Sequence, residues 1–299
     1  MYALWDTMIL FYDPISAGYE VPGHPERPAR VVESAKHLKN RHPDWEWRVP
    51  RLASDREILR AHTPDHLSRF GLARDFDADT AWLPGILDHA RQAAGSALQV
   101  YEVALQGRKA FSLMRPPGHH ALAEQAMGFC YLNSIAIAAL AALDAGAGRV
   151  AIWDFDAHHG NGTEALVRGN EQIVFASVHQ LPGWPGSGGE SFDNIRNFPV
   201  RPMAPRAVHL AELEKSLEVL ADFEPDLLLV SAGFDAFAGD PITNMTLLEE
   251  DFATFGEWLA KFSAPVGAVL EGGYSDRLPW LIDAFLSAWD SPKRNGTDS

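Results

Sequence analysis

Asp154, Asp156 and His158 stand at alternate positions after an apolar run over 150–153, and Gly160-Asn161-Gly162 follows them. Successive side chains of an extended chain point to opposite faces, so extended geometry would project all three to one side. Two carboxylates and an imidazole gathered in one place repel or lie desolvated unless a cation joins them. Oxygen and nitrogen donors of this kind suit a divalent metal such as zinc. The plainer reading makes them a polar strand end whose acids cap the next helix. Asp235 closes another apolar run and is a candidate third donor at the same pole; spacing alone leaves it equally a helix cap. Three protein donors leave a position for water, the arrangement of a catalytic rather than a structural zinc.

The elements that would position these residues alternate along the chain. Strands are expected over 4–12, 45–49, 110–114, 150–153, 173–178, 226–231 and 265–270. Helices are expected over 29–38, 55–61, from 62 (capped by Thr63 or Asp65), 85–105, from Asn133 or Ser134 to Gly146, 163–168 and 207–223, with one more before the last strand. Segments 75–80 and 182–189 read as loops. This alternation predicts one α/β domain over 1–290, a mostly parallel sheet with helices on both faces, and a short tail over 291–299. In such sheets ligands bind beyond the carboxyl ends of the strands, where the Gly-rich His and Asp segments fall.

Composition narrows the partners. The 299 residues carry 25 Lys and Arg against 40 Asp and Glu, a net charge of −15. That excess argues against nucleic acid or an anionic membrane as partner and favours cationic ligands. Cys130 is the one cysteine, so an intrachain disulfide is excluded and a reducing, cytoplasmic setting is expected. Residues 1–12 lack a basic leader and make a poor signal peptide, and no apolar run reaches the length of a membrane span.

Five segments together resemble the histone deacetylase family of the arginase-deacetylase fold. They are Arg-Pro-Pro-Gly-His-His-Ala (115–121), Gly-Phe-Cys-Tyr-Leu-Asn (128–133), Asp-Phe-Asp-Ala-His-His-Gly-Asn-Gly-Thr (154–163), Ser-Ala-Gly-Phe-Asp-Ala (231–236) and Leu-Glu-Gly-Gly-Tyr (270–274). They follow the family's order and span nearly the whole chain. His24-Pro25-Glu26 and Asn161 are similar to the class II branch and its bacterial amidohydrolase relatives.

The resemblance implies that Asp156, His158 and Asp235 bind zinc, or iron(II). It pairs His119 with Asp154 and His120 with Asn161, making His120 general base and later general acid, while a cationic His119 stabilises charge. Tyr274 would donate to the developing oxyanion, and Gly272 and Gly273 would let the backbone approach the substrate. Gly128, Phe129 and Trp184 resemble the walls of a channel that grips an acyl-lysine stem, although Trp184 stands where a Phe is usual. Asp79 aligns loosely with a rim aspartate that binds the substrate backbone; the alternative is a solvated loop acid. Asp154, Asp156, His158, Ser177 and Val178 match a structural monovalent-cation site, expected to hold K+. The substrate implied is an acylated lysine or related amine. An acetylpolyamine or other small-amide amidohydrolase is the alternative. A ureohydrolase is disfavoured because His159-Gly160 occupy the stretch where a second metal needs an acid, and an inactive acyl-lysine binder because every motif residue is present.

Overall fold

The computed structural model describes residues 7–291. The expected start of the first strand at 4–6, and the tail beyond Ser291, lie outside the described residues. Among the described residues the strands are β1 (Ile9–Phe11), β2 (Glu46–Arg48), β3 (Ala110–Ser112), β4 (Val150–Asp154), β5 (Ile173–Gln180), β6 (Ile195–Val200), β7 (Leu227–Ala232) and β8 (Val266–Leu270). They form one sheet in the order β2-β1-β3-β8-β7-β4-β5-β6, with every pairing parallel.

Helices cover both faces, so the central strands are apolar on both sides. Trp153, Leu228 and Val230 join a core with α1 (Ala29–Arg41), α7 (Arg206–Asp222), α8 (Glu249–Lys261) and α9 (Leu278–Asp290). Their strand neighbours Ile152, Leu227 and Leu229 face the opposite way, into a core with α4 (Ile86–Leu105) and α5 (Ser134–Asp144). Three short helices, α2 (Asp55–Ile58), α3 (Pro64–Arg69) and α6 (Asn161–Val167), complete the set. Thr63, not Asp65, caps α3, accepting from the His66 N–H at 3.2 Å, and Asn133 caps α5 through the Ala136 N–H at 3.0 Å. No helix of the described residues is long and apolar enough to cross a membrane.

Strand β6 and helix α9 were not expected. β6 carries Arg196, Asn197 and Pro199 and pairs only with β5; a proline-bearing polar segment is tolerated there because it lies at the sheet edge. α9 starts with Pro279 in its first turn and buries Leu281, Ile282, Phe285 and Trp289. Because the strands are parallel, the loops after β3, β4, β5, β7 and β8 all leave at the carboxyl end of the sheet, where the five sequence segments fall.

Candidate metal and catalytic site

Strand geometry stops at Asp154, so the alternation expected through His158 is not that of a strand. Instead the chain makes two successive turns of the same kind. The Asp156 N–H donates to Asp154 Oδ1 at 3.1 Å, and the His158 N–H donates to Asp156 Oδ1 at 2.9 Å. Spacing by two still brings the Asp156 and His158 side chains together, for a different reason, while Asp154 meets His119.

Asp156, His158 and Asp235 meet with donor atoms within 4.8 Å of one another. His158 Nδ1 lies 2.8 Å from Asp235 Oδ2 and 3.1 Å from Asp156 Oδ1. Both carboxylates are steered by backbone: Ala157 N–H donates to Asp235 Oδ1 at 2.8 Å, and Gly272 N–H to Asp156 Oδ2 at 2.7 Å. Burial and the adjacent Asp156 push the Asp235 carboxyl up to about 7. Burial disfavours the His158 cation, yet Asp235 and Asp156 raise it well above an ordinary imidazole. Two buried carboxylates drawing on one imidazole proton are what a divalent cation would relieve. A Cβ on Gly272 would run into both carboxylates, so only glycine leaves this cradle open. The donor set and its packing fit a divalent metal.

The tandem histidines differ in their partners. His119 Nδ1 lies 3.0 Å from Asp154 Oδ2, and His120 Nδ1 lies 2.8 Å from the amide oxygen of Asn161. Burial alone would neutralise His119, but Asp154 and Asp156 raise it to about 10. Burial and cationic His119, 3.9 Å away between ring centres, push His120 well below its ordinary value. These partners favour the charged form of His119 and the neutral form of His120. The Tyr274 backbone N–H donates to Asp240 Oδ2 at 2.7 Å, and burial raises its phenol, which stays protonated.

A cavity of about 320 Å³ leads to these groups. His120, His158 and Tyr274 form its floor, Gly128, Phe129 and Trp184 its walls, and Asp79, His24, Pro25 and Ile242 its mouth. Phe129 takes φ of 68°, a conformation costly for a side chain this large. The acidic loop stabilises it: Gly128 N–H donates to Asp77 Oδ2 at 3.3 Å and Phe129 N–H to Thr80 Oγ1 at 3.1 Å. Trp184 packs edge-on against His120 at 4.5 Å, and any Cβ on Gly128 would collide with its indole. Of the expected cation-site residues, Asp154 and Ser177 face each other across the β4–β5 register, with Val178 next along β5.

Sequence reasoning missed the groups that hold this site from behind. Arg30, in α1, donates through Nε to Gly273 O at 2.7 Å and through Nη2 to Glu271 O. Arg115 and Arg30 share Glu26, whose burial would raise its carboxyl but whose two guanidiniums hold it below the usual range. Glu26, Arg115 and Glu271 lay inside the motifs quoted above, and their burial is the signal a sequence does not carry. His24 at the mouth lay in a quoted segment but was given no role, and Ile242 beside it and Asp240 behind Tyr274 had no sequence signal beyond their place in loops.

Residues 24–288 match the family described as Histone deacetylase domain. The chain belongs to the histone deacetylase family. An uncharacterized protein of Synechocystis is 41% identical over 282 residues, covering 89% of this chain and 92% of that protein. A histone deacetylase-like amidohydrolase of Pseudomonas aeruginosa is 34% identical, covering 85% of this chain and 73% of its own length. Acetylpolyamine amidohydrolase 2 of Pseudomonas aeruginosa is 36% identical, covering 73% of this chain and 66% of its own length. Among solved structures, the HDA15 HD domain superposes with a TM-score of 0.88 at 29% identity, covering 95% of this chain and 90% of that one. Acetylpolyamine aminohydrolase from Burkholderia pseudomallei shares the fold, with a TM-score of 0.83 at 24% identity over 95% of this chain and 98% of that one. Histone deacetylase membership supports hydrolysis of an acylated amine and implies a metal cofactor.

Proposed function

We propose that this chain is a metal-dependent deacetylase that removes acetyl or a related acyl group from lysine side chains or similar cationic amines. The observation that carries the reading is that His158 of the Asp156-His158-Asp235 donor set lines one cavity with His120 and Tyr274. Asp156, His158 and Asp235 would hold zinc, with iron(II) as the alternative ion. When bound, such an ion supplies Lewis acidity to an amide carbonyl and lowers the pKa of water.

The chain's own residues supply the rest. His120 Nε2 takes a proton from the attacking water and returns it to the leaving amine. The Tyr274 hydroxyl donates to the oxygen that gains charge, and the fixed positive charge on His119 stabilises the same region. Phe129 and Trp184 sheathe an alkyl stem and exclude water, while Asp79 at the mouth receives backbone N–H groups or a distant ammonium. Asp154, Asp156, His158, Ser177 and Val178 are the residues that would hold K+. The names of the relatives favour acetylpolyamine as the second substrate class.

The test is turnover of acetyl- and longer acyl-lysine peptides and of acetylpolyamines by the zinc-loaded and iron(II)-loaded protein. Release of free amine with loss on His120→Ala supports the reading; binding of these compounds without turnover by either form overturns it.

A further inference from the structure

The two catalytic histidines sit on a loop, 115–121, that has no secondary structure of its own, so something outside the loop must fix their backbone. Glu271, the first residue after β8, stands in the right place. It is 1% exposed. Its Oε2 accepts the Gly118 N–H at 2.7 Å and the His119 N–H at 3.2 Å, and its Oε1 accepts the Ser231 hydroxyl at 3.1 Å. Its own N–H donates to Ala232 O at 2.9 Å, and its carbonyl accepts from Arg30. One residue thus ties the histidine loop to the end of β7, which leads to Asp235, and to the Gly272-Gly273-Tyr274 turn.

We propose that Glu271 is a positioning residue that sets the His119–His120 pair against the Asp235 and Tyr274 segments. The inference rests on the reading of those histidines as the catalytic pair. A carboxyl group suits the task because one oxygen can lie between two converging N–H groups while the other meets the Ser231 hydroxyl. Glutamine can reproduce the arrangement: its oxygen takes the two backbone N–H groups, and its amide faces the Ser231 hydroxyl, which can rotate to accept. Methionine keeps the length and fills the space but leaves two buried N–H groups unpaired. Aspartate keeps the charge but withdraws the oxygens by one methylene.

Glu271→Gln, Glu271→Asp and Glu271→Met are to be compared with the wild-type holoenzyme. Displacement of a reacting group by about an ångström costs about a hundredfold in rate, so the Asp and Met variants should lose kcat on that scale with KM little changed. The Gln variant should stay within a few-fold of wild type. A folded Asp variant with wild-type kcat, or a Gln variant as poor as Asp, overturns the proposal. If Met does not fold, the Gln-against-Asp comparison still decides. Should the wild type turn over no acylated amine, the functional reading fails, and crystal structures judge Glu271 separately. The His119 Nδ1–Asp154 Oδ2 contact of 3.0 Å should open beyond hydrogen-bond distance in the Asp variant and persist in Gln; an unchanged contact in Asp refutes the positioning role.

Discussion

His120 Nδ1 lies 2.8 Å from the Asn161 amide oxygen, while its neighbour His119 has the Asp154 carboxylate in the equivalent place. The difference between amide and carboxylate separates the two rings electrostatically. An amide oxygen fixes the tautomer with Nδ1 protonated but stabilises the imidazolium far less than a carboxylate does. His120 is thereby kept able to accept a proton at neutral pH.

Asn161→Asp should raise the pKa of His120, because an added negative charge favours its cationic form. The base is then lost to protonation at higher pH, so the acidic limb of the kcat/KM profile should move upward by about one unit or more. Activity near pH 6 should fall more than activity near pH 8. An unshifted acidic limb would show that His120 is not the base.

Removing a donor should empty the metal site. Asp235→Ala leaves two of three protein donors and exposes the Ala157 N–H that the carboxylate accepted. The expected result is one divalent metal per wild-type chain by elemental analysis and nearly none in the variant, with activity lost in parallel. Two metals per wild-type chain would contradict a mononuclear centre.

Tyr274→Phe deletes one hydroxyl while the backbone bond to Asp240 and the Arg30 contact over the ring remain available. Fold and metal content should be retained and kcat should fall about a hundredfold, the usual worth of an oxyanion donor. Near-normal turnover would require another donor for the oxyanion.

The site was legible where chemistry follows from residue type and spacing, and less so where it depends on burial or remote backbone. The Asp156-His158-Asp235 meeting and the two histidine pairings stand where the motifs placed them. The acidic loop was only half legible. Asp79 was expected at the mouth, whereas Asp77 and Thr80, which hold the Gly128-Phe129 backbone, carry no motif. Arg30 was hidden because it looks like an ordinary helix cation, and its partners are backbone carbonyls from the far end of the chain. In the fold, the buried parallel strands announced themselves as apolar runs, but edge strand β6 did not, since one side of it needs no partner.

Acid should destabilise the protein through a buried histidine remote from the site. His209, 1% exposed within α7, is pushed down to about 4 by burial, with no hydrogen-bond partner among the described residues for either ring nitrogen. An unfolded histidine binds its proton near 6.5, so between there and about 4 the unfolded chain takes up the proton and the folded one resists. Stability contributed by the neutral ring is thus full above pH 6.5 and falls as pH drops toward 4, by about 2 kcal/mol at pH 5. His209→Leu should flatten the fall in Tm between pH 7 and pH 5, and an identical slope in both proteins would refute it.

Two acids of one loop should behave differently toward salt. Asp79 is exposed at the cavity mouth, where its charge adds to the −15 of the whole chain in attracting a cationic substrate. Asp77 points inward, and its oxygens accept the Gly128 and Asp79 N–H groups. Capture by charge is screened by ions, so kcat/KM for a cationic acetamide should fall as salt rises while kcat changes little. Asp79→Asn should weaken that salt dependence and raise KM. Asp77→Ala should also raise KM, for neutral and cationic acetamides alike, because it frees the positive-φ turn that presents Phe129. The difference is read from kcat/KM for cationic and neutral acetamides across a salt series. Equal values for the two substrates at low salt would remove the electrostatic role of Asp79. A KM unchanged by Asp77→Ala would remove the positional role of Asp77.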